Sequence, residues 1–451
     1  MSTHTERFAS QVRFSRREIV KAGALGVALG GLPRWYADEA LAQEAKETSK
    51  SPNERPGVLL VGCGGMGRGD ANIASRFGNI VAVCDVDRNH VDQAAEMFKA
   101  EAKFSDFRKA IAHKGVDIVI NGTPDHWHTL VNIHALRSGK DVYSEKPLTL
   151  TIAEGQKLVE VAQQTGRILQ TGSQQRSDAR FRLACELVRN GVLGKIKHVQ
   201  VILPHGLHDG PFATKPVPPN LDWDFWQGQT PSVEYVPERC HFSFRYWYDY
   251  SGGTMTDWGA HHNDIALWGL GLKGPVTIEG KALVEPVSGG YTAPSEYEVH
   301  FTYANGVTQR TASTKLNGPT GAIARSAKVD DLPHGVTFTG SDGWIFVTRG
   351  KIEASDPALL KRELPASAER LYKSDNHMGN FFDCVRSRKA TICEPEIGHR
   401  SVSVCHLGVI AIRTGRKLTW DPEQQQFTGD SSDANRHVAR EMRKPWSLDA
   451  V

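Results

Sequence analysis

A short apolar run, Gly57-Val58-Leu59-Leu60-Val61, leads directly into Gly62-Cys63-Gly64-Gly65-Met66-Gly67, and a helical pattern follows from Arg68 to Arg76. Strand, G-x-G-x-x-G turn and helix in that order leave few folds open. The glycines let the backbone turn sharply and approach a pyrophosphate, and the helix N-terminus presents unpaired N–H groups to an anion. A second apolar strand, Ile80 to Cys84, ends in Asp85, near the offset of about twenty residues expected of the acid that grips the ribose hydroxyls. A carboxylate there repels a 2′-phosphate, so the expected cofactor is NAD rather than NADP, with Arg88 nearby tempering the preference. Gly62, Gly64, Gly65, Met66, Gly67 and Asp85 are the first cofactor-binding candidates.

Alternation continues beyond the fingerprint. Helical patterns over 89–102, 129–138 and 152–165 separate apolar strands at 117–121, 141–144 and 167–170. Repeated strand and helix predict a parallel, doubly wound sheet with its site at the C-terminal strand ends. Two of those ends carry chemistry: Thr123-Pro124-Asp125-His126-Trp127-His128 and Glu145-Lys146-Pro147. Prolines stiffen both loops, and Lys146 can aim its ammonium at a group lying over a nicotinamide. By itself E-K-P reads equally well as a surface loop with a salt bridge.

At 451 residues the chain exceeds one ordinary core, so two domains are expected. The expected division is 1–42 export signal, 43–55 linker, 56–172 nucleotide-binding domain and 173–451 substrate-binding domain. Hydrophobic content of 39%, charged content of 23% and a net charge of +3 describe a globular protein with no electrostatic footprint for nucleic acid or a membrane surface. The seven cysteines form no C-x-x-C pair, which argues against a zinc site or a thioredoxin-like couple and leaves a disulfide among Cys384, Cys393 and Cys405 open. Near the start, Ser15-Arg16-Arg17 precedes a short Gly-rich apolar run to Leu32 and then Ala40-Leu41-Ala42. Paired arginines, a short apolar core and an A-x-A site predict a twin-arginine export signal and a periplasmic protein.

Past residue 172 the pattern changes. Gln174 and Arg176 stand where two domains should meet, either as hydrogen-bonding partners for a polyol or as parts of a hinge. Aromatics cluster at 222–226 and 244–250; most should supply core, with Arg245 and Trp247 as the substrate-binding candidates. The stretch from Gly252 to Trp268 predicts a helix capped by Thr254 or Thr256, with Ile265, Trp268 and Leu272 on an apolar face. Asp257 and His261 then lie one turn apart, a carboxylate beside an imidazole, which is equipment for a general base. One helix cannot converge Asp257, His261, His262 and Asp264 on an ion, so no metal is expected. Short strands at 276–284, 297–303, 307–314, 336–339 and 344–348, without helices between them, predict an open, mainly antiparallel sheet. Helices are expected over 374–388 and 400–413.

The four motifs, G-x-G-x-x-G at 62–67, T-P-x-x-x-H at 123–128, E-K-P at 145–147 and D-x-x-x-H at 257–261, occur together in this order, and the chain resembles the glucose-fructose oxidoreductase, inositol dehydrogenase and rhizopine-catabolism (Gfo/Idh/MocA) family, closest to an exported bacterial subgroup. The resemblance implies catalytic Lys146, Asp257 and His261 over the nicotinamide, with His261 as base, Lys146 on the reacting oxygen and Asp257 orienting His261. It implies that Thr123, Pro124, His126, His128, Glu145 and Lys146 join the cofactor site, that the substrate is a sugar, glycoside or cyclitol, and that a dimer or tetramer forms through the second sheet. Two rival readings remain: a redox-neutral enzyme whose NAD stays tightly bound, as in sugar-coupled oxidoreductases and NAD-dependent glycosidases, and a non-catalytic dinucleotide-binding protein.

Overall fold

In a computed structural model of the chain, residues 55–313 and 334–449 are described. The expected export signal and all but the end of the linker lie outside the described residues. The first sheet is built from β1 (Gly57–Val61), β2 (Asn79–Cys84), β3 (Ala102–Phe104), β4 (Ile118–Asn121), β5 (Asp141–Ser144) and β6 (Leu169–Thr171). Its order is β3-β2-β1-β4-β5-β6 and every pairing is parallel. That is the doubly wound order whose crevice opens beyond the strand C-termini, between β1 and β4.

Local chemistry explains where the helices sit. The helix Ile152–Thr165 begins at Thr151, whose hydroxyl accepts the Glu154 N–H at 3.2 Å, and ends at Gly166 with φ of 61°. The helix expected from Thr129 starts four residues earlier, as Asp125–Arg137, because Pro124 occupies the cap position, where a missing N–H costs nothing. This corrects the loop expected around His126 and His128: both lie on the helix.

The second sheet contains β7 (Ile196–Leu203), β8 (Thr277–Val284), β9 (Glu296–Thr302), β10 (Thr308–Ser313), β11 (Gly335–Gly340), β12 (Trp344–Thr348), β13 (Lys351–Ala354), β14 (Leu418–Asp421) and β15 (Gln426–Phe427), in the order β13-β12-β11-β7-β10-β9-β8-β14-β15. Only the central β7 and β10 pair in parallel. The sheet is thus mainly antiparallel, as expected, and mixed only at its middle, where β7 is inserted.

Against this sheet pack the helices Ala179–Arg189, Gly259–Leu270 and Pro395–Thr414. Gly259–Leu270 departs from the expected one-sided helix: every residue but Leu270 is buried. Three of its polar side chains survive burial because they are partnered. Asn263 accepts from Gln309 at 2.9 Å and Thr311 at 2.8 Å, His262 Nε2 meets His334 Nδ1 at 2.8 Å, and Asp264 is held by Arg176.

The chain also returns to its first domain. Met378, Phe381 and Phe382 of the helix His377–Ser387 join the core under β1 and β4, and Met442, Trp446 and Leu448 pack on the opposite side of the same sheet. All seven cysteines are buried and free.

Candidate active site

The glycine turn shows which of its positions the fold requires and which face the cleft. Gly62 has φ of 85°, and a Cβ there would lie 2.5 Å from the Gly122 carbonyl carbon. A Cβ on Gly67 would sit 1.9 Å from Gly62 O. By contrast, Gly64 and Gly65 have open space where a Cβ would be, and Met66 is exposed. The turn therefore offers bare backbone at the start of the helix Gly65–Ala74, as pyrophosphate binding needs. Asp85, at the end of β2, accepts the Cys63 N–H at 2.7 Å and the Asp87 N–H at 2.9 Å, which fixes its carboxylate beside the turn.

A cleft of about 530 Å³ runs from this turn to Lys146, lined by Asp85, Thr123, Pro124, His128 and Glu145 from the first domain and by Trp226, Phe244 and Arg245 from the second. His128 spans two carbonyls, Pro147 O at 2.6 Å and Thr123 O at 2.9 Å, and so ties the two chemically loaded loops together. Thr123 donates its hydroxyl to Asn121 at 2.7 Å. His126 is a correction: it is fully buried behind the cleft, its Nε2 against Trp226 O at 2.8 Å, and burial pushes its imidazole down to about 3. On a helix beginning at Asp125, residues 126 and 128 point about 160° apart, so only one can face the cofactor space.

At the cleft's inner end Lys146 Nζ donates to Asp257 Oδ1 at 2.5 Å, and Arg245 Nε lies 3.5 Å from the same oxygen. Burial alone would raise the Asp257 carboxyl; Lys146 and then Arg245 outweigh it and hold the group below the usual carboxylate range. The expected pairing of the Asp257 carboxylate with the His261 imidazole is absent among the described residues. The helix is divided at Trp258 into Thr254–Asp257 and Gly259–Leu270, and Asp257 turns toward the two cations instead. The threonine caps are also reassigned: Gly253 is the cap residue, Thr256 accepts the Gly252 N–H at 2.9 Å, and Thr254 meets Tyr297 at 2.9 Å. His261 is buried with Nδ1 unpartnered. Burial first, then the positive fields of Lys146 and Arg349, place its imidazole well below the ordinary value, so it is neutral and ready to accept a proton.

Two substrate candidates are spoken for elsewhere. Arg176 holds Asp264 through Nε at 2.8 Å and Nη2 at 2.7 Å and stacks over Trp268, a buried structural pair. Trp247 is also buried, with the Arg239 guanidinium 3.8 Å over its ring and its indole N–H on Glu238 O at 2.8 Å. Gln174 donates to Glu145 Oε1 at 2.8 Å and thereby supports the floor beneath Lys146. Six positions near the site went unnoticed in the sequence. Asp70 reaches Glu145 from the helix after the glycine turn. Gln175, with its amide turned to satisfy both neighbours, donates to His261 O at 3.1 Å and accepts from Arg349 Nε at 3.3 Å. Beside Asp85, the ligand atoms of Asp87, His90 and His241 fall within 4.8 Å of one another, and the hydrogen bond to Asp85 raises the His90 imidazole. No period or spacing marks these residues, because the meetings of Asp70 with Glu145, Gln175 with Arg349, and His241 with Asp87 and His90 join distant parts of the chain.

A glycine turn facing open space, an acid fixed at the end of β2 and a lysine at the end of β5 define a two-domain dinucleotide-binding protein of the oxidoreductase type. The chain belongs to the Gfo/Idh/MocA oxidoreductase family: residues 57–173 match its NAD-binding Rossmann fold, and residues 202–333 and 338–448 match its C-terminal alpha/beta domain. Inositol 2-dehydrogenase from Salmonella typhimurium is 32% identical over 131 residues, which cover 29% of this chain and 38% of that protein. The chain thus spans about two fifths of that relative's length. The scyllo-inositol 2-dehydrogenase (NAD(+)) of Bacillus subtilis is 24% identical over 322 residues, 69% of this chain and 80% of that protein. Levoglucosan dehydrogenase, solved with NADH and levoglucosan, shares the fold at a TM-score of 0.60 and 16% identity, over 81% of this chain and 99% of that one.

Proposed function

We propose that this protein oxidises a hydroxyl of a sugar, glycoside or cyclitol. Bound NAD supplies the hydride acceptor. Lys146 and Arg245 lining the inner end of the cleft, with Asp257 bonded to Lys146 and beside Arg245, and His261 within the field of Lys146, carry this reading. His261, held neutral, takes the hydroxyl proton as hydride leaves the carbon. Lys146 donates to the same oxygen and stabilises its growing negative charge. Asp257 does not orient the base in this scheme; it fixes Lys146 and Arg245 by sharing one carboxylate between them. Gly64, Gly65 and Asp85 hold the dinucleotide, Glu145 and Gln174 support the lysine loop, and Arg245 meets the substrate from the second domain.

The twin-arginine motif supports export to the periplasm. Since that route carries folded proteins away from the cytoplasmic nicotinamide pool, it also favours NAD held through turnover. Assembly into a dimer or tetramer is proposed through the face of the second sheet that carries Lys281, His300 and Glu298, which no helix among the described residues covers. Cell fractionation and light scattering test these two proposals.

The primary experiment uses protein purified without added cofactor, with absorbance at 260 and 340 nm read before and after sugars and cyclitols are supplied. Accumulating NADH identifies a dehydrogenase; sugar conversion with stoichiometric nucleotide and no net NADH identifies a redox-neutral enzyme. His261→Ala and Lys146→Ala should each lose at least about a hundredfold in turnover while keeping their nucleotide, the lower end of what a placed acid–base group supplies. Near-normal turnover in either variant refutes the assignment.

A further inference from the structure

The turn between β12 and β13 brings Arg349 to the reacting centre from the far side of the second domain. Although the residue is exposed on its turn, the guanidinium reaches inward. It stacks 4.8 Å above the Trp258 ring, and Nε donates to Gln175, whose amide N–H₂ holds the His261 carbonyl. Trp258 is the residue between the two helix segments that carry Asp257 and His261, and its ring centroid is 5.9 Å from that of His261. Arg349 is thus mounted on the same frame as the proposed base, close enough to depress its basicity.

Among the described residues its charge has no counter-ion. Three carboxylates lie within its field, Glu145, Asp257 and Asp178, and each is engaged elsewhere. Asp257 is shared by Lys146 and Arg245. Asp178 caps the helix Ala179–Arg189 and pairs with Arg180 at 2.7 Å. Glu145 accepts from Gln174 and meets Asp70. Among the described residues no carboxylate forms an ion pair with Arg349, and its one hydrogen bond leaves both terminal nitrogens open. A guanidinium whose Nε is tied back and whose plane is fixed on an indole presents its two terminal nitrogens as a fork, the geometry that suits two oxygens of one anion. Arg349 therefore acts in binding and specificity; the reacting atoms belong to Lys146 and His261.

We infer that the substrate carries an anionic group, a carboxylate or a phosphate ester, which the Arg349 fork binds while the oxidised hydroxyl lies against Lys146 and His261. This rests on the oxidoreductase reading above and narrows its substrate class to acidic sugars or cyclitols.

Nucleotide-loaded protein is assayed with matched sets: a neutral hexose, the corresponding hexuronate and the hexose 6-phosphate. Conversion of each is measured, and binding of each is followed by calorimetry. One acidic member should exceed its neutral parent by at least about tenfold in kcat/KM, the scale of one hydrogen bond to a charged group. Whether the uronate or the phosphate wins identifies the anion. Arg349→Ala should bring the acid-to-neutral ratio to about one and weaken calorimetric binding of the acid about 10- to 100-fold, acting on KM more than on kcat, with 260 nm nucleotide content and melting temperature unchanged. Arg349→Lys should recover part of the preference, since a point charge replaces the fork. Equal or better use of neutral sugars by the wild type, with a ratio unmoved in Arg349→Ala, overturns the inference and leaves the oxidoreductase reading standing. Failure of every sugar to be converted, with no binding of the acids, overturns both.

Discussion

Asp70 and Glu145 meet in the floor of the site within the field of Lys146, both buried. Burial is the largest influence on each and raises both carboxyls; for Asp70 the neighbouring Glu145 raises it further. Two such carboxyls cannot both ionise cheaply, so the pair retains a proton at pH values where free carboxyls have lost theirs. A folded-state value above the unfolded one means that the neutral forms belong to the fold. Their contribution is complete below the unfolded values near pH 4 and is lost as pH rises through the raised ones. Asp70→Asn removes one of the two protons in question while preserving shape. Its melting temperature should therefore gain on the wild type as pH rises above the range where free carboxyls ionise, and a gap that stays constant with pH would show that the two groups do not share a proton. Residue-scale facts of this kind are where the sequence was least legible. G-x-G-x-x-G and Asp85 could be read because their partners are the backbone beside them. Arg176 could not, because its occupation by Asp264 depends on a contact across 88 residues.

Elements were legible wherever their end signals were local. Thr151 and Gly166 delimit the helix Ile152–Thr165 at the residues expected of it. The short β3 and the central β7 were not seen, since neither has a strong alternation of its own and each is stabilised by its neighbours in a sheet. Within the glycine turn the structure separates two duties that the motif merges. Gly67→Ala drives a methyl group into Gly62 O and should cost ~3 kcal/mol of stability, in the range of severe overpacking. Gly65→Ala meets no protein atom and should melt like the wild type, yet retain much less nucleotide on purification because the methyl occupies cofactor space. Melting curves and 260 nm absorbance of the two variants separate these effects; equal loss of stability in both would contradict the division.

At the scale of the whole molecule, the two sheets are joined by more than the crossover after β6. Beyond Val438 the chain runs back over the junction: Arg440 donates to Asp249 O at 2.9 Å, Arg443 N–H bonds Gln229 O at 2.8 Å, and Trp446 stacks on Phe225 with ring centroids 5.5 Å apart. Trp446 also meets Trp127 edge-on at 4.9 Å and lies under Arg108. Phe225 and Trp127 are walls of the cofactor cleft. Trp446→Ala should therefore cost ~2 kcal/mol, about half of what a fully buried tryptophan contributes, and should speed nucleotide release although no atom of Trp446 lines the cleft. Release at the wild-type rate, followed by dilution into a nucleotide scavenger, would show that the walls stand without it.

That return crossing has a consequence for biosynthesis. A ribosome completes β1 to β6 long before it reaches Trp446, so the early product is a sheet whose nucleotide pocket still has a loose wall. Saturation with NAD then waits for Trp446 to be made and folded back, and the order of manufacture ties cofactor loading to that return crossing.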